Sequence, residues 1–307
     1  MKNLGYIPVN GMRSYWMKRI LAYIIIRTNA LNFMWNTIFR SSELAATDTE
    51  QIFYILNCER ELENVLMMHS LSQRCYRKFV DIGCNYGQFV NAAGGHFDEV
   101  LCFDANEAAA AYAKKTYKHD NATFFNYAIV DSEEEKDTVT LRIPPGNSGK
   151  ASIIEMDQKD FKEVEVPAKP VTEALEKFSE FSTKTMIKID VEGLEEKLVH
   201  DLLQSEFNGA GFAYEVLTRD AKISLSKIFE EYKEYQHYVC RYTFQSNSSY
   251  MISNIFGVMK SIITGRSRIV IYQADYIADF PFDFIPLVFS IPSSRKIQIS
   301  DFGIKNA

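Results

Sequence analysis

Residues 78–82 contain several closely spaced apolar side chains. Phe79, Val80 and Ile82 form a short run that ends in a turn containing Gly83 and Gly87. Residues 89–97 then continue with apolar positions at helical spacing. This succession predicts a buried strand, a glycine-containing turn and a helix.

Further runs repeat this alternation along the chain. Residues 99–103 predict a second strand, residues 105–117 an alanine-rich helix, and residues 122–129 a third strand. Residues 185–191 predict a fourth strand, followed by a helix over 194–203 and a fifth strand over 211–216. Alternating strands and helices are typical of an α/β fold with a largely parallel sheet.

The remaining segments are less regular. Residues 138–143 and 162–166 alternate as exposed strands do, and residues 238–244 and 269–272 predict a hairpin that closes the sheet. The loop at 144–151 is either a substrate-facing loop or a plain connection. Residues 280–292, rich in aromatic residues and proline, are expected to wrap the surface or cap a pocket.

Charge is distributed unevenly along the chain. The 307 residues carry a net charge of -6, which argues against binding a phosphate backbone. Residues 1–40, in contrast, hold six lysines and arginines and no acid. With Trp16, Ile20 and Trp35 at roughly helical spacing, this arm predicts a basic amphipathic helix. It either lies on a membrane interface or packs on the core or on a second subunit.

These patterns give three predicted regions. They are a basic helical arm over 1–48, an α/β domain over 49–275 that opens with a helix over 50–70, and a C-terminal extension over 276–307. We see no signal peptide, and Arg27 interrupts the apolar run of the arm before it could span a bilayer. A cytoplasmic location is expected, with peripheral contact at the inner face of the membrane as the alternative.

The glycine-containing turn and Asp104 together suggest a nucleotide site. The turn by itself is a weak signal, since a strand-to-helix turn also needs glycine for steric reasons. Asp104 follows the second strand, 23 positions after Asp81, where an acid commonly holds ribose hydroxyls. Because the G-x-G-x-x-G order that seats a pyrophosphate is missing, NAD and FAD are disfavoured. An adenosine cofactor without phosphates, S-adenosylmethionine (SAM), fits better.

Asp190 and Glu192 follow the fourth strand and are the candidate catalytic residues. Ligands of open α/β sheets bind beyond the carboxyl ends of the strands, so these acids would point toward the cofactor's reactive end. The structural alternatives are a helix N-terminal acid for Glu192 and an ion pair with Lys188.

Cysteine and histidine give no sign of a metal site. Five scattered cysteines without C-x-x-C spacing indicate reduced thiols, and the five histidines share no ligand spacing. The acidic stretch at 131–137 is read as a solvated loop. No metal site is predicted, although a divalent cation at the two catalytic acids is left open.

Five segments in order resemble the FkbM family of SAM-dependent methyltransferases. They read FVDIGCNYG, VLCFDAN, FFNYAIVD, NSGKAS and IKIDVEGLE, and the match covers about residues 78–217. The resemblance implies a Rossmann-like class I methyltransferase fold. Its sheet would have seven mostly parallel strands, an antiparallel last strand and helices on both faces. It also implies O-methylation of sugars or natural products, as in polysaccharide biosynthesis.

Carried over onto this chain, the family pattern implies site residues. Those expected around SAM are Asp81, Gly83, Asn85, Gly87, Asp104, Asn126 and Ala128, and the acidic motif at the active-site mouth holds Asp190 and Glu192. The family more often has glutamate at the position of Asp104. A T-L-D segment usual in the family corresponds to VTEAL at 171–175, so the family's aspartate is missing there.

The expected function is methyl transfer from SAM to a hydroxyl of a sugar, glycan or natural-product acceptor, with no nucleic-acid partner. A carboxylate would act as base or would hold a cation that acidifies the hydroxyl. The alternative is a catalytically inactive binding or scaffold protein of a membrane-associated glycan-assembly complex. Self-association or membrane contact would involve residues 14–40.

Overall fold

Twelve strands and eight α-helices form in the part of the chain that the structure describes. The structure is a computed structural model, and it describes residues 1–10, 12–28, 61–134, 136–154, 160–232, 234–242, 255–282 and 285–295. The strands are β1 Lys2–Asn10, β2 Lys78–Ile82, β3 Glu99–Phe103, β4 Ala122–Phe125, β5 Ala128–Val130, β6 Thr138–Ile143, β7 Lys162–Pro170, β8 Thr185–Ile189, β9 Gly211–Val216, β10 Tyr235–Tyr242, β11 Arg266–Ala274 and β12 Ile285–Pro292. The helices are α1 Met12–Thr28, α2 Leu62–Arg74, α3 Gln88–Ala93, α4 Glu107–Thr116, α5 Val171–Ala174, α6 Glu195–Gln204, α7 Arg219–Glu231 and α8 Ile255–Thr264.

The main sheet has nine strands in the order β1-β11-β10-β12-β9-β8-β2-β3-β4. From β9 to β4 every neighbouring pair is parallel. From β1 to β9 every pair is antiparallel. The prediction of seven mostly parallel strands is therefore wrong in strand count and direction, because β11 and β1 extend the sheet beyond β10. The α/β class and the mixed sheet with helices are as predicted.

Helices cover both faces of this sheet. On one face α1, α2, α3, α4 and α8 contribute to a shared apolar core, in which Trp16 contacts Tyr242 with 5.2 Å between ring centroids. On the other face α5, α6 and α7 pack over the buried sides of the parallel strands. A second sheet, β5-β7-β6, surrounds a small core of its own beside the carboxyl end of β3.

Strands from outside the predicted boundaries at residues 48 and 275 join the main sheet. The arm begins with β1, which pairs antiparallel with β11 at the edge of the sheet. The C-terminal segment, expected to wrap the surface or cap a pocket, provides β12 between β9 and β10. Residues 29–60, 243–254 and 296–307 lie outside the described part, and with them part of the predicted arm, linker and first domain helix.

Within the described ranges, no helix is both long and apolar enough to cross a membrane.

Candidate SAM and acceptor site

The carboxyl ends of three parallel strands bring the candidate residues together. In the register of the sheet, Ile82 lies opposite both Phe103 and Ile189, so the residues that follow β2, β3 and β8 emerge at one edge. These next residues are Gly83, Asp104 and Asp190. The sequence order of strands changes direction at this edge, where open α/β sheets bind ligands.

The turn after β2 needs a glycine at its first position. Gly83 has φ +77°, and a Cβ there would lie 1.8 Å from the backbone oxygen of Asp190. Asn85 also has a positive φ, of 47°, and Gly87, with φ 81°, precedes α3. Since the chain turns this tightly, backbone atoms rather than side chains form the wall that a ligand would meet.

Asp104 connects this turn to the start of α4. One carboxylate oxygen accepts a hydrogen bond from the Asn85 backbone N–H at 2.7 Å, and the other accepts from Asn106 N–H at 2.8 Å. Burial raises the pKa of Asp104 to about 6, although the two N–H donors oppose the shift. The carboxylate is therefore held rigidly at the cavity wall, with lone pairs left for ribose hydroxyls.

A first cavity of about 640 Å³ lies over Gly83 and Asp104. Its other walls are the apolar ends of the strands and the small second sheet. The side chains and backbone that line it are those of Ile82, Gly83, Asn85, Phe103, Asp104, Ala105, Tyr127, Ala128, Ile129, Leu141, Ser148, Gly149, Ala151, Ser152, Ile153, Asp190, Val191, Glu192 and Leu194. No lysine or arginine is among these described lining residues, so a cofactor with a pyrophosphate would meet no cationic side chain here.

The turn after β8 is built around a buried carboxylate. Glu195 accepts hydrogen bonds from Val191 N–H at 3.0 Å and Gly193 N–H at 2.9 Å. Glu192 has φ 56°, a conformation that costs a non-glycine residue about 1 kcal/mol, and its carbonyl accepts a bond from Ser152 Oγ at 2.9 Å. Asn85 and Glu192 are the two non-glycine residues with positive φ in the described chain, and both line the cavity. Backbone strain of this kind is concentrated at functional sites.

Lys188 lies buried beneath the same turn. Its Nζ is 3.1 Å from Asp190 Oδ2 and 3.2 Å from Asp81 Oδ1, and it donates to the Gly83 carbonyl at 3.4 Å. The ammonium has three N–H donors, and these three acceptors surround it. The backbone of Asp190 is held by the hydrogen bond from its N–H to the Ile82 carbonyl oxygen. Its side chain is held by Lys188.

Three carboxylates converge beyond this ion pair. Oxygens of Asp190, Glu192 and Glu215 lie within 4.8 Å of one another. Burial, together with the charges of Asp190 and Glu192, raises the pKa of Glu215 to about 10. Three negative charges this close are unfavourable, so the group can retain a proton or take up a cation.

A second cavity of about 630 Å³ lies on the other side of these acids. It shares Gly83, Asn85, Gly149, Asp190 and Glu192 with the first, and Glu61, Cys84, Tyr86, Gln88, Phe89, Lys188 and Glu215 complete its lining. The two cavities thus meet at Asp190 and Glu192. A cofactor in one and an acceptor in the other would have their reactive ends at these carboxylates.

Three of the expected cofactor residues lie outside the first cavity. Asp81 is fully buried beneath the turn, where its carboxylate is paired with Lys188. The side-chain amide of Asn126 donates hydrogen bonds to the backbone oxygens of Asp104 and Ala105. It therefore supports the cavity wall from behind and is not part of the lining. Gly87 is set back against Ala113 of α4. The other expected residues, Gly83, Asn85, Asp104, Ala128, Asp190 and Glu192, all line this cavity.

Sequence reasoning did not assign Glu215 and Lys188 to the site. Glu215 was read only as part of a strand, and Lys188 only as an ion-pair partner. Both lie on strands adjacent to the turn, and a charged residue inside a buried strand is the signal that could have identified them.

Comparison with known proteins gives structural likenesses only. No family model and no curated protein matches the chain, so the FkbM resemblance is not confirmed. A precorrin-6y C5,15-methyltransferase from Geobacter metallireducens matches at 10% identity and TM-score 0.37, over 76% of this chain and 89% of that one. The M. jannaschii protein TYW2 in complex with AdoMet matches at 12% identity and TM-score 0.32, over 76% of each chain.

A further match contradicts one prediction. The complex of aTrm5 with tRNALeu matches at 12% identity and TM-score 0.32, over 75% of this chain and 45% of that one. The prediction of a sugar or glycan acceptor with no nucleic-acid partner is contradicted by this match, and we withdraw it.

Proposed function

We propose that this chain is a SAM-dependent methyltransferase that acts on a hydroxyl group. The observation that carries the proposal is the first cavity, at the carboxyl ends of β2, β3 and β8. There a rigid acid, Asp104, lies beside a glycine turn in a lining without lysine or arginine. An acid after the second strand, beside a glycine turn, is the arrangement that holds the ribose of an adenosine cofactor.

The described residues fit the parts of SAM. The carboxylate of Asp104 would accept hydrogen bonds from the ribose hydroxyls. The half-buried side chains of Tyr127 and Ile153 offer an aromatic and an aliphatic surface for adenine. Gly83 has no side chain and lies against the backbone of Asp190. The turn therefore leaves room for the methionine part of SAM.

SAM, when bound, supplies a methyl group activated by its sulfonium. The residues of this chain would orient the acceptor and take its proton. We assign the proton to the carboxylates of Asp190 and Glu192, since both face the two cavities. Lys188 holds the Asp190 side chain in one orientation, which contributes to rate by positioning.

Calorimetric titration with SAM, S-adenosylhomocysteine and NADH tests the cofactor assignment. We expect micromolar binding of the first two and none of NADH. Asp104→Ala should weaken SAM binding at least tenfold, because a hydrogen-bonding charged group is lost at the cavity wall. Asp98→Ala, a matched removal of an exposed acid that pairs with Arg77, should leave SAM binding unchanged.

Turnover distinguishes an enzyme from a binding protein of the same fold. S-adenosylhomocysteine release is measured with a panel of hydroxyl-bearing acceptors that includes phenols, alcohols and RNA. Asp190→Asn should abolish release while SAM still binds. If SAM binds and no acceptor of the panel is methylated, the catalytically inactive alternative is favoured. Absence of SAM binding contradicts the methyltransferase proposal and also favours the scaffold alternative.

A further inference from the structure

A basic lobe at one edge of the sheet contains no acid. We use this name for β1, α1, α8 and β11, which come from the two ends of the chain and lie side by side in the fold. Together they hold eight lysines and arginines and no aspartate or glutamate, whereas the whole chain carries -6. The fold therefore gathers positive charge on one side of an acidic protein.

The two helices of the basic lobe cover the same face of the sheet. Met12, Trp16 and Val258 are buried in one core beneath them. Arg13 joins the helices, since its guanidinium donates to the backbone oxygens of Ile262 and Ile263 at 2.9 and 2.8 Å. The sides of α1 and α8 that face away from this core consequently point in the same direction.

These outward sides are apolar as well as basic. The described chain has ten exposed large apolar side chains, and four of them lie on α1 and α8. Ile263 is 66% exposed, Met17 56%, Met259 47% and Leu21 40%. On the same two helices the basic residues Arg13 and Lys260 are exposed and Lys18 is half-buried. An apolar strip edged by cations and without acids is the pattern of helices that lie in a membrane interface.

We propose that the outward face of α1 and α8 docks on the surface of an anionic lipid bilayer. Met17, Leu21, Met259 and Ile263 would enter the headgroup region, and the surrounding cations would lie against lipid phosphates. The docking is peripheral, in keeping with the lack of a spanning helix in the described chain. It is independent of the methyltransferase proposal.

Two other occupants fit less well. A two-fold dimer through this face would place the same basic residues of both copies against each other, which is unfavourable. A nucleic acid would satisfy the cations but would leave four exposed aliphatic side chains unused, and none of these is aromatic and able to stack on a base.

Flotation of the full chain with lipid vesicles tests the proposal. We expect binding to vesicles with 30% phosphatidylglycerol in phosphatidylcholine. Pure phosphatidylcholine should bind at least tenfold more weakly, and 500 mM NaCl should release the protein. No binding to the anionic vesicles at 50 mM NaCl would overturn the proposal.

Matched variants locate the contact. Ile263→Ser should weaken vesicle binding about fivefold and Lys260→Glu about tenfold. The same substitutions at Ile223 and Lys227, both exposed on α7 over the opposite face of the sheet, should change nothing. Equal binding by all four variants would overturn the assignment to this face.

Light scattering and competition with tRNA address the other occupants. The free protein should show the same mass in wild type and Ile263→Ser. A dimer that Ile263→Ser dissociates would overturn the proposal in favour of self-association. Loss of tRNA binding in Lys260→Glu without any vesicle binding would overturn it in favour of a nucleic acid.

Discussion

The two halves of the sheet place their charges in opposite ways. In the parallel half, from β4 to β9, Asp81, Lys188 and Asp190 are packed together beneath a cavity. In the antiparallel half, the cations of the basic lobe are mostly at the surface. Buried charges depend on their partners for stability, whereas exposed ones contribute little. Substitutions in the first region should therefore alter both fold and function, and those in the second should alter contacts with a partner alone.

The largest expected effect is that of Lys188→Met. It leaves the buried carboxylate of Asp81, and the partly exposed one of Asp190, without their cation, which should lower the free energy of unfolding by about 3–5 kcal/mol. Urea denaturation measures it. Lys260→Met in the basic lobe, the matched control, should change stability by less than about 0.5 kcal/mol. The double variant Asp81→Asn with Lys188→Met should recover part of the loss, and equal stability of Lys188→Met and wild type would contradict the comparison.

Two glycines with positive φ offer the next comparison. In Gly83→Ala the new Cβ would lie 1.8 Å from the Asp190 carbonyl, so we expect a loss of about 3 kcal/mol and of SAM binding. Gly265, between α8 and β11, has φ +67° and nothing within 4 Å of such a Cβ. Gly265→Ala should therefore cost only about 1 kcal/mol. Thermal unfolding and SAM titration are measured for both variants. Similar losses of stability would show that the contact with the Asp190 carbonyl is not the reason for a glycine at position 83.

Acid should weaken SAM binding through Asp104. The pKa of Asp104, about 6, lies above the ordinary 3.8 because the carboxyl is buried. Between pH 3.8 and pH 6 the folded protein therefore holds a proton on Asp104 that the unfolded chain has released. Above pH 6 the buried anion lowers the free energy of unfolding. The anion is the form that accepts bonds from both ribose hydroxyls. SAM binding at pH 5 should therefore be roughly tenfold weaker than at pH 7.5. In Asp104→Asn this dependence should disappear, and a pH-independent affinity in wild type would contradict the role of Asp104.

The smallest effect concerns backbone strain at Glu192. Glycine tolerates φ 56° without cost, so Glu192→Gly should be about 1 kcal/mol more stable than Glu192→Ala in urea denaturation. Equal stability of the two variants would show that this conformation stores no strain.

The parallel half of the fold could be predicted because its strands are buried on both faces. Strands such as β2 and β8 are near-continuous apolar runs between clear turns. β12 was missed because it begins and ends near proline, and β1 because Gly5 and Pro8 interrupt its apolar positions. Their partners lie far away in sequence, so no local pattern reveals them.

The site residues were predictable where they directly follow a buried strand. Gly83, Asp104 and Asp190 each follow directly after a buried strand, and all three reach the cavity. Asp81 lies within the strand, so its side chain points into the protein, where Lys188 meets it. Glu215 comes to the cluster through the adjacency of β9 and β8, which only the sheet order reveals.

Hydrogen–deuterium exchange with and without SAM tests the central claim most directly, since it reports both binding and place. We predict slower exchange in peptides covering residues 83–88, 104–107 and 190–193, where backbone N–H groups surround the first cavity. Peptides from α1 and α8 should be unchanged. No protection at the first three segments, or protection confined to the basic lobe, would contradict the assignment of the cofactor site.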